Sequence, residues 1–144
     1  MMNSDSAVID RIATTFYASF ASPDHGLVDL TELRGLFHHG AVIVKLADGI
    51  PAFYSVESFI APREELLNSG RLLGFLEEEV SAETQLFDDI AQRWSLYRKS
   101  GSLDGAPYSG WGRKSIQLVR SPDGWRISAI SWCDGPEGVS IPSL

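Results

Sequence analysis

The chain has 144 residues, 44% apolar and 22% charged, with a formal net charge of −7. That length suits one domain with a sizeable core. The acidic balance excludes a surface built to wrap nucleic acid or to lie on an anionic membrane, since both need clustered positive charge.

Cys133 is the only cysteine, so no internal disulfide can form, which fits a reducing compartment. No signal-peptide pattern opens the chain, and no apolar run approaches the ~20 residues of a membrane helix. A cytoplasmic protein without nucleic-acid or membrane partners is expected.

In chain order, Ser4–Ser22 reads as a helix, with Val8, Ile9, Ile12, Phe16 and Phe20 on one face and Pro23-Asp24-His25-Gly26 ending it. Asp29–Phe37 is a short second helix, His38-His39-Gly40 a connector and Ala41–Leu46 a short strand, followed by an Asp48-Gly49 turn. Phe53–Ser69 should contain a third helix capped by Ser55, with Phe59, Leu66 and Leu67 inward. Pro62 either kinks this helix or lies in the first turn of a new one.

After Gly70 the period becomes two. Strands are expected near Leu72–Leu86, Ile90–Ser100, Gly112–Ser121 and Trp125–Asp134, with Gly101–Gly110 a long loop. Ser121-Pro122-Asp123-Gly124 is the clearest turn: proline presets φ, aspartate bonds its own backbone and glycine tolerates positive φ. Residues 1–134 then form one domain and 135–144 a tail. The fold class is α+β, with N-terminal helices packed on one face of a curved, mainly antiparallel sheet that encloses a cone-shaped cavity.

That order, with LFHHGAVIV, ESFIAPREELL, FDDIAQRWSLY and GRKSIQLVRSPDGWRISAISW, resembles the nuclear transport factor 2-like superfamily of cystatin-like α+β proteins, most nearly its SnoaL-like branch of small bacterial proteins. The resemblance spans about Ala7–Asp134. It implies a fold more than a function, because the superfamily holds isomerases, dehydratases, polyketide cyclases, non-catalytic binding proteins and assembly domains. It also implies a homodimer formed through the outer sheet face.

Set against ketosteroid isomerase, the resemblance puts Lys45 at the aspartate base, Phe16 near the oxyanion tyrosine with Tyr17 next along, and Ile116 near the second acidic donor. That set cannot run the enolisation. The same alignment turns Ile116, Leu118, Ile127, Ala129, Ser131, Cys133, Trp94 and Leu96 toward the helices. Gln117, Val119, Arg126, Ser128, Ile130 and Trp132 turn away, with Val119, Ile130 and Trp132 the apolar part of the dimer face.

The candidate catalytic groups are Lys45, Glu78 and His39. Lys45 is either an anion or carbonyl partner in the cavity or a strand-end lysine reaching water. Glu78, sharing a face with Val80, Ala82 and Thr84, is either a base of raised pKa, a solvated rim carboxylate or the partner of an arginine. His38 and His39 sit in no HxH, HExxH or cysteine context, so no metal site is expected and a solvated or capping pair is the plainer reading.

The expected ligand-binding set is Phe16, Tyr17, Lys45, Tyr54, Trp94, Trp111, Ile116 and Ser131, suited to a small apolar or aromatic ligand, although aromatics at such spacing are often core. Trp111 follows the Gly101–Gly110 loop, which reads as a lid. No GxGxxG or Walker loop occurs, so no cofactor is expected. Three functions stay open: small-molecule binding in the cavity, a cofactor-independent lyase, isomerase or cyclase working by proton transfer there, and a dimerisation module whose cavity is filled by its own side chains.

Overall fold

The computed structural model describes residues 4–21 and 27–142. Ser22, the Pro23–Gly26 terminator with His25, and the last two residues of the tail lie outside the described residues. The elements run α1 (Ser4–Ala18), α2 (Thr31–Gly35), β1 (Phe37–Ala47), β2 (Ile50–Tyr54), α3 (Val56–Asn68), β3 (Leu72–Phe87), β4 (Ile90–Leu103), β5 (Ala106–Ser121) and β6 (Gly124–Asp134).

The predicted α1 stripe is buried as expected. Ile9, Ile12, Phe16 and Phe20 join Leu30, Leu33, Phe59, Ile60, Ile116, Leu118 and Ile130 in one continuous core, with Val8 packed against it. Helix α3 begins where the sequence placed it: Ser55 Oγ accepts from the Ser58 amide at 3.1 Å, and Ser58 Oγ accepts from the Ser55 amide at 2.9 Å. This reciprocal box satisfies two of the donors a helix start leaves open. The helix continues across Pro62 without a break in its range.

The six strands form one sheet in the order β2-β1-β6-β5-β4-β3. All pairings are antiparallel except β1 with β6. Strand β2 is absent from the sequence reading; the Asp48-Gly49 turn folds Ile50–Tyr54 back on β1, up to the Ser55 cap. His38–Gly40 belong to β1 rather than to a connector, but the ladder with β6 is irregular there, jumping from Phe37↔Ile127 to Val42↔Ala129.

The expected Gly101–Gly110 loop is instead a hairpin whose ladder closes at Leu103↔Ala106. Asp104 (φ 51°) and Gly105 (φ 84°) both take positive φ. That is the two-residue turn that matches the twist of antiparallel strands and that an Asp-Gly pair favours. No lid is formed by this segment.

Besides an irregularity between Leu73 and Leu76, two bulges set which side chains near the middle of the sheet face the helices. In β3, Glu79 pairs with Tyr97 and Ser81 with Leu96, leaving Val80 as the extra residue. In β6, Ala129 pairs with Gln117 and Ile127 with Leu118, leaving Ser128 extra, its Oγ donating to the Gln117 carbonyl at 3.2 Å. An extra residue exchanges the faces of everything beyond it.

Ile116, Leu118 and Ile127 face the helices as expected, but Ile130 and Trp132 do too; Ile130 is buried and the Trp132 ring lies 5.5 Å from Phe59 on α3. Ala129, Ser131 and Cys133 therefore turn outward, the reverse of the expectation. On β4 the inward residues are Arg93, Ser95 and Tyr97, so Trp94, half exposed, and Leu96 share the outer face. Of the three apolar residues expected outside, only Val119 remains there.

Gly112 tests the packing between β4, β5 and β6. A Cβ at this position would lie inside van der Waals contact of the Tyr97 hydroxyl and the Cys133 carbonyl oxygen. Gly112→Ala is expected to cost about 2–3 kcal/mol of stability, read as a lower midpoint in chemical denaturation.

Candidate functional site

Between α1, α3 and the concave sheet face lies a cavity of about 180 Å³. Phe16 and Phe20 from α1, Phe59, Leu66 and Leu67 from α3, Leu72 and Phe75 from β3, and Ile130 and Trp132 from β6 give it an apolar wall. The i, i+4 spacing of Phe59 and Arg63 puts both on one face of α3, and Arg63 lines the cavity as well.

Its other polar groups stand on strands. Lys45 comes from β1, Glu77 from β3, Lys99 from β4, and Tyr108 and Lys114 from β5. Strict alternation from Ile116 places Lys114 inward.

The Lys114 ammonium is buried, 2.7 Å from Glu77 Oε1 and 3.5 Å from the centre of the Tyr97 ring. Burial pushes its pKa down against the opposing pull of Glu77. Beside it, the Tyr97 hydroxyl donates to Asp134 Oδ1, and Lys99 Nζ lies 2.9 Å from Asp134 Oδ2. Burial raises the Asp134 pKa, but the hydrogen bonds from Tyr97 and Lys99 outweigh it and hold the carboxyl below its ordinary range.

A second network runs beneath α1. Tyr17 donates to Ser95 Oγ at 2.6 Å, and Ser95 donates to Glu79 Oε2 at 2.6 Å. Arg93 clasps Glu79 with two bonds, at 3.0 and 2.5 Å, and reaches Asp10 at 2.7 Å and Thr84 at 2.8 Å. This network ties α1 to β3 and β4. Among the described residues no buried side-chain nitrogen or oxygen lacks a partner, and no three His, Cys, Asp or Glu side chains are grouped to hold a metal ion.

Of the sequence-predicted residues, Phe16 and Lys45 line the cavity. Tyr17 is buried beside it, and the Tyr54 ring lies 6.3 Å from Phe59 and 5.8 Å from the Arg63 guanidinium.

The others are elsewhere. Ile116 is sealed in the core under Ile9, Ile12 and Ala13. Trp94 and Ser131 are on the outer face. Trp111 donates through Nε1 to the Val139 carbonyl at 2.8 Å, anchoring the segment after β6. Glu78 points away from the cavity and pairs with Arg98 at 2.7 Å, so its neighbour Glu77 is the inward carboxylate. The His38 and His39 rings stack on each other at 4.2 Å and line no part of the cavity.

Arg63, Lys114, Glu77 and Trp132 were missed. The helical spacing from Phe59 would have found the first and the strand alternation from Ile116 the second. Bulges hid the other two.

No protein-family model matches the sequence, and no curated protein matches it. Solved structures do. A proposed aromatic ring hydroxylase from Novosphingobium aromaticivorans superposes with a TM-score of 0.75 at 12% identity, over 94% of this chain and 93% of that one. An NTF2-like protein of unknown function from Pseudomonas putida gives 0.72 at 13% identity, over 100% and 96%. A proposed scytalone dehydratase from Novosphingobium aromaticivorans gives 0.71 at 13% identity, over 99% and 95%. The chain has the nuclear transport factor 2-like fold.

Burial raises the Tyr17 and Tyr97 pKa values strongly, and that of Tyr108 to a lesser degree. In the unfolded chain these phenols ionise near pH ~10, so the unfolded state alone loses protons above that pH and stability falls as pH rises further. Tyrosinate absorbance should show Tyr17 and Tyr97 ionising only together with loss of the far-ultraviolet dichroism.

Proposed function

We propose that this NTF2-like domain binds a small molecule with an apolar, aromatic body in the cavity between α1, α3 and the concave sheet face. The observation that carries the reading is the cavity itself: about 180 Å³ of space walled by Phe16, Phe20, Phe59, Phe75 and Trp132. A cavity of roughly 150 Å³ takes benzene, so the fit is to a single ring. This space also argues against a module whose interior is filled by its own side chains.

A second reading is favoured by the buried Lys114–Glu77 pair. A cofactor-independent lyase or isomerase would use such a pair to move a proton at the ligand, Lys114 being the group whose pKa burial pushes down against the pull of Glu77. Two structures of this fold are described as a hydroxylase and a scytalone dehydratase, which is in keeping with enzymatic use of such a cavity. A cytoplasmic setting fits the single, exposed Cys133.

We also propose that the domain pairs with a second copy through its outer sheet face. Among the described residues that face exposes Phe53, Trp94, Ile90, Val42 and Leu46 around the smaller Ser115, Ala129 and Ser131. A large apolar surface of this kind favours a covering partner. Sedimentation should give twice the 15.8 kDa chain mass, and Trp94→Glu should give the monomer with its dichroism unchanged. A monomeric wild type would rule the pairing out.

For the cavity, single-ring aromatic compounds should raise the melting temperature. At a ligand concentration of 100 times Kd the stabilisation is about 2.7 kcal/mol, or roughly 5–10 °C for a domain of this size. Leu67→Trp, which fills the cavity from α3, should abolish the shift. An unchanged shift in that variant would place binding elsewhere.

A further inference from the structure

We infer that the molecule this cavity holds is a small organic anion, a carboxylate carried on a single ring, whose charge is received by Arg63 and Lys45. The inference rests on the cavity-binding reading and adds the ligand's chemical class. It comes from matching each lining cation with its carboxylate.

Four cations line the space: Lys45, Arg63, Lys99 and Lys114. Lys114 is matched by Glu77 at 2.7 Å and Lys99 by Asp134 at 2.9 Å. Among the described residues, Lys45 and Arg63 have no carboxylate within ion-pair distance. Elsewhere Arg34, Arg71, Arg93, Arg98 and Arg120 each have at least one.

Arg63 is not a surface arginine reaching into water. Its guanidinium lies 3.9 Å from the centre of the Phe59 ring, 5.6 Å from that of Trp132 and 5.8 Å from that of Tyr54. One nitrogen, Nη1, donates to the Phe59 carbonyl at 2.8 Å; among the described residues no acceptor engages the remaining donors. Desolvating a cation that has no ion-pair partner is costly, and burial pulls the Arg63 pKa down against the weaker opposing pull of Tyr54 and Glu77. A planar fork with open donors, steadied on an aromatic face, is the geometry that receives a carboxylate through two parallel hydrogen bonds.

Lys45 stands on the same patch of wall. It pairs in register with Trp132 across β1 and β6, so Lys45 flanks the indole over which Arg63 sits. Two cations with no direct ion-pair partner among the described residues thus stand on one aromatic wall, in a chain whose net charge is −7. A generally basic surface does not account for them. The volume of about 180 Å³ limits the body of the anion to about one ring.

The test compares benzoate with benzamide, its neutral isostere, by calorimetric titration at low ionic strength and neutral pH. Benzoate should bind the wild type at least about tenfold more tightly, equivalent to ~1.4 kcal/mol. Arg63→Gln should remove the preference, and Lys45→Gln should reduce it.

Equal or tighter binding of benzamide overturns the anion inference and leaves the cavity reading standing. Failure of both probes at millimolar concentration overturns both. A benzoate preference unchanged in both variants overturns the assignment to Arg63 and Lys45. If Arg63→Gln loses its dichroism, the wild-type comparison and Lys45→Gln decide alone.

Discussion

Side chains two apart along a strand share a face, so one extra residue in a ladder exchanges the faces of everything beyond it. Val80 in β3 and Ser128 in β6 are such residues. Beyond Ser128, Ile130 and Trp132 come inward and Ala129, Ser131 and Cys133 go out. Before Val80, Glu77 and Glu79 come inward and Glu78 goes out to Arg98. Without the bulge at Ser128 the cavity would lose its indole wall. Without the bulge at Val80, Glu77 and Glu79 would turn away from Lys114 and Arg93, and losing one member of a buried pair costs about 3–5 kcal/mol. The bulges therefore fix both the shape of the space and its charge balance.

The concave face carries two polar systems of different character. Beneath α1, the chain from Tyr17 through Ser95 and Glu79 to Arg93 and Asp10 is closed, with these groups bonded to one another and helix and strands held together. Toward α3 the balance is incomplete. Lys114 and Lys99 are matched, while Arg63 and Lys45 present positive charge to an apolar hollow. The closed half gives a rigid wall, and the open half is the part that the proposed anion would meet. Preorganised donors on rigid elements bind with less ordering cost than donors on loops.

The parts of the fold legible in the sequence were those set by local chemistry. The α1 stripe, the Ser55 cap and the Ser121–Gly124 turn each depend on residues within a few positions of one another. The Asp104-Gly105 turn was equally local, but the Gly, Ser and Pro residues around it masked strand continuity. Strand β2 was hidden because its five residues alternate no buried set; all but Tyr54 are exposed. The bulges are tertiary, since nothing in Glu77–Ser81 or Ile127–Ala129 alone says which residue the partner strand will skip. Hence Phe16 and Lys45, which lie ahead of any such shift, line the cavity, whereas Ser131, expected inside, and Trp132, expected outside, change places, and Glu78 takes the plainer of its readings, paired with an arginine. Arg63 on the stripe of Phe59 and Lys114 on the face of Ile116 are within reach of periodicity.

The direct test of the bulge at Ser128 is a nuclear Overhauser spectrum of the isotope-labelled protein, resolved for residues 129–133. The structure predicts cross-peaks between the Trp132 indole and the Phe59 ring, whose centres are 5.5 Å apart, and between the Trp132 indole and the Arg63 side chain. Cross-peaks from Ala129 or Ser131 to α1 or α3, with none from Trp132, would mean that β6 presents the opposite face, and the cavity described here would not exist.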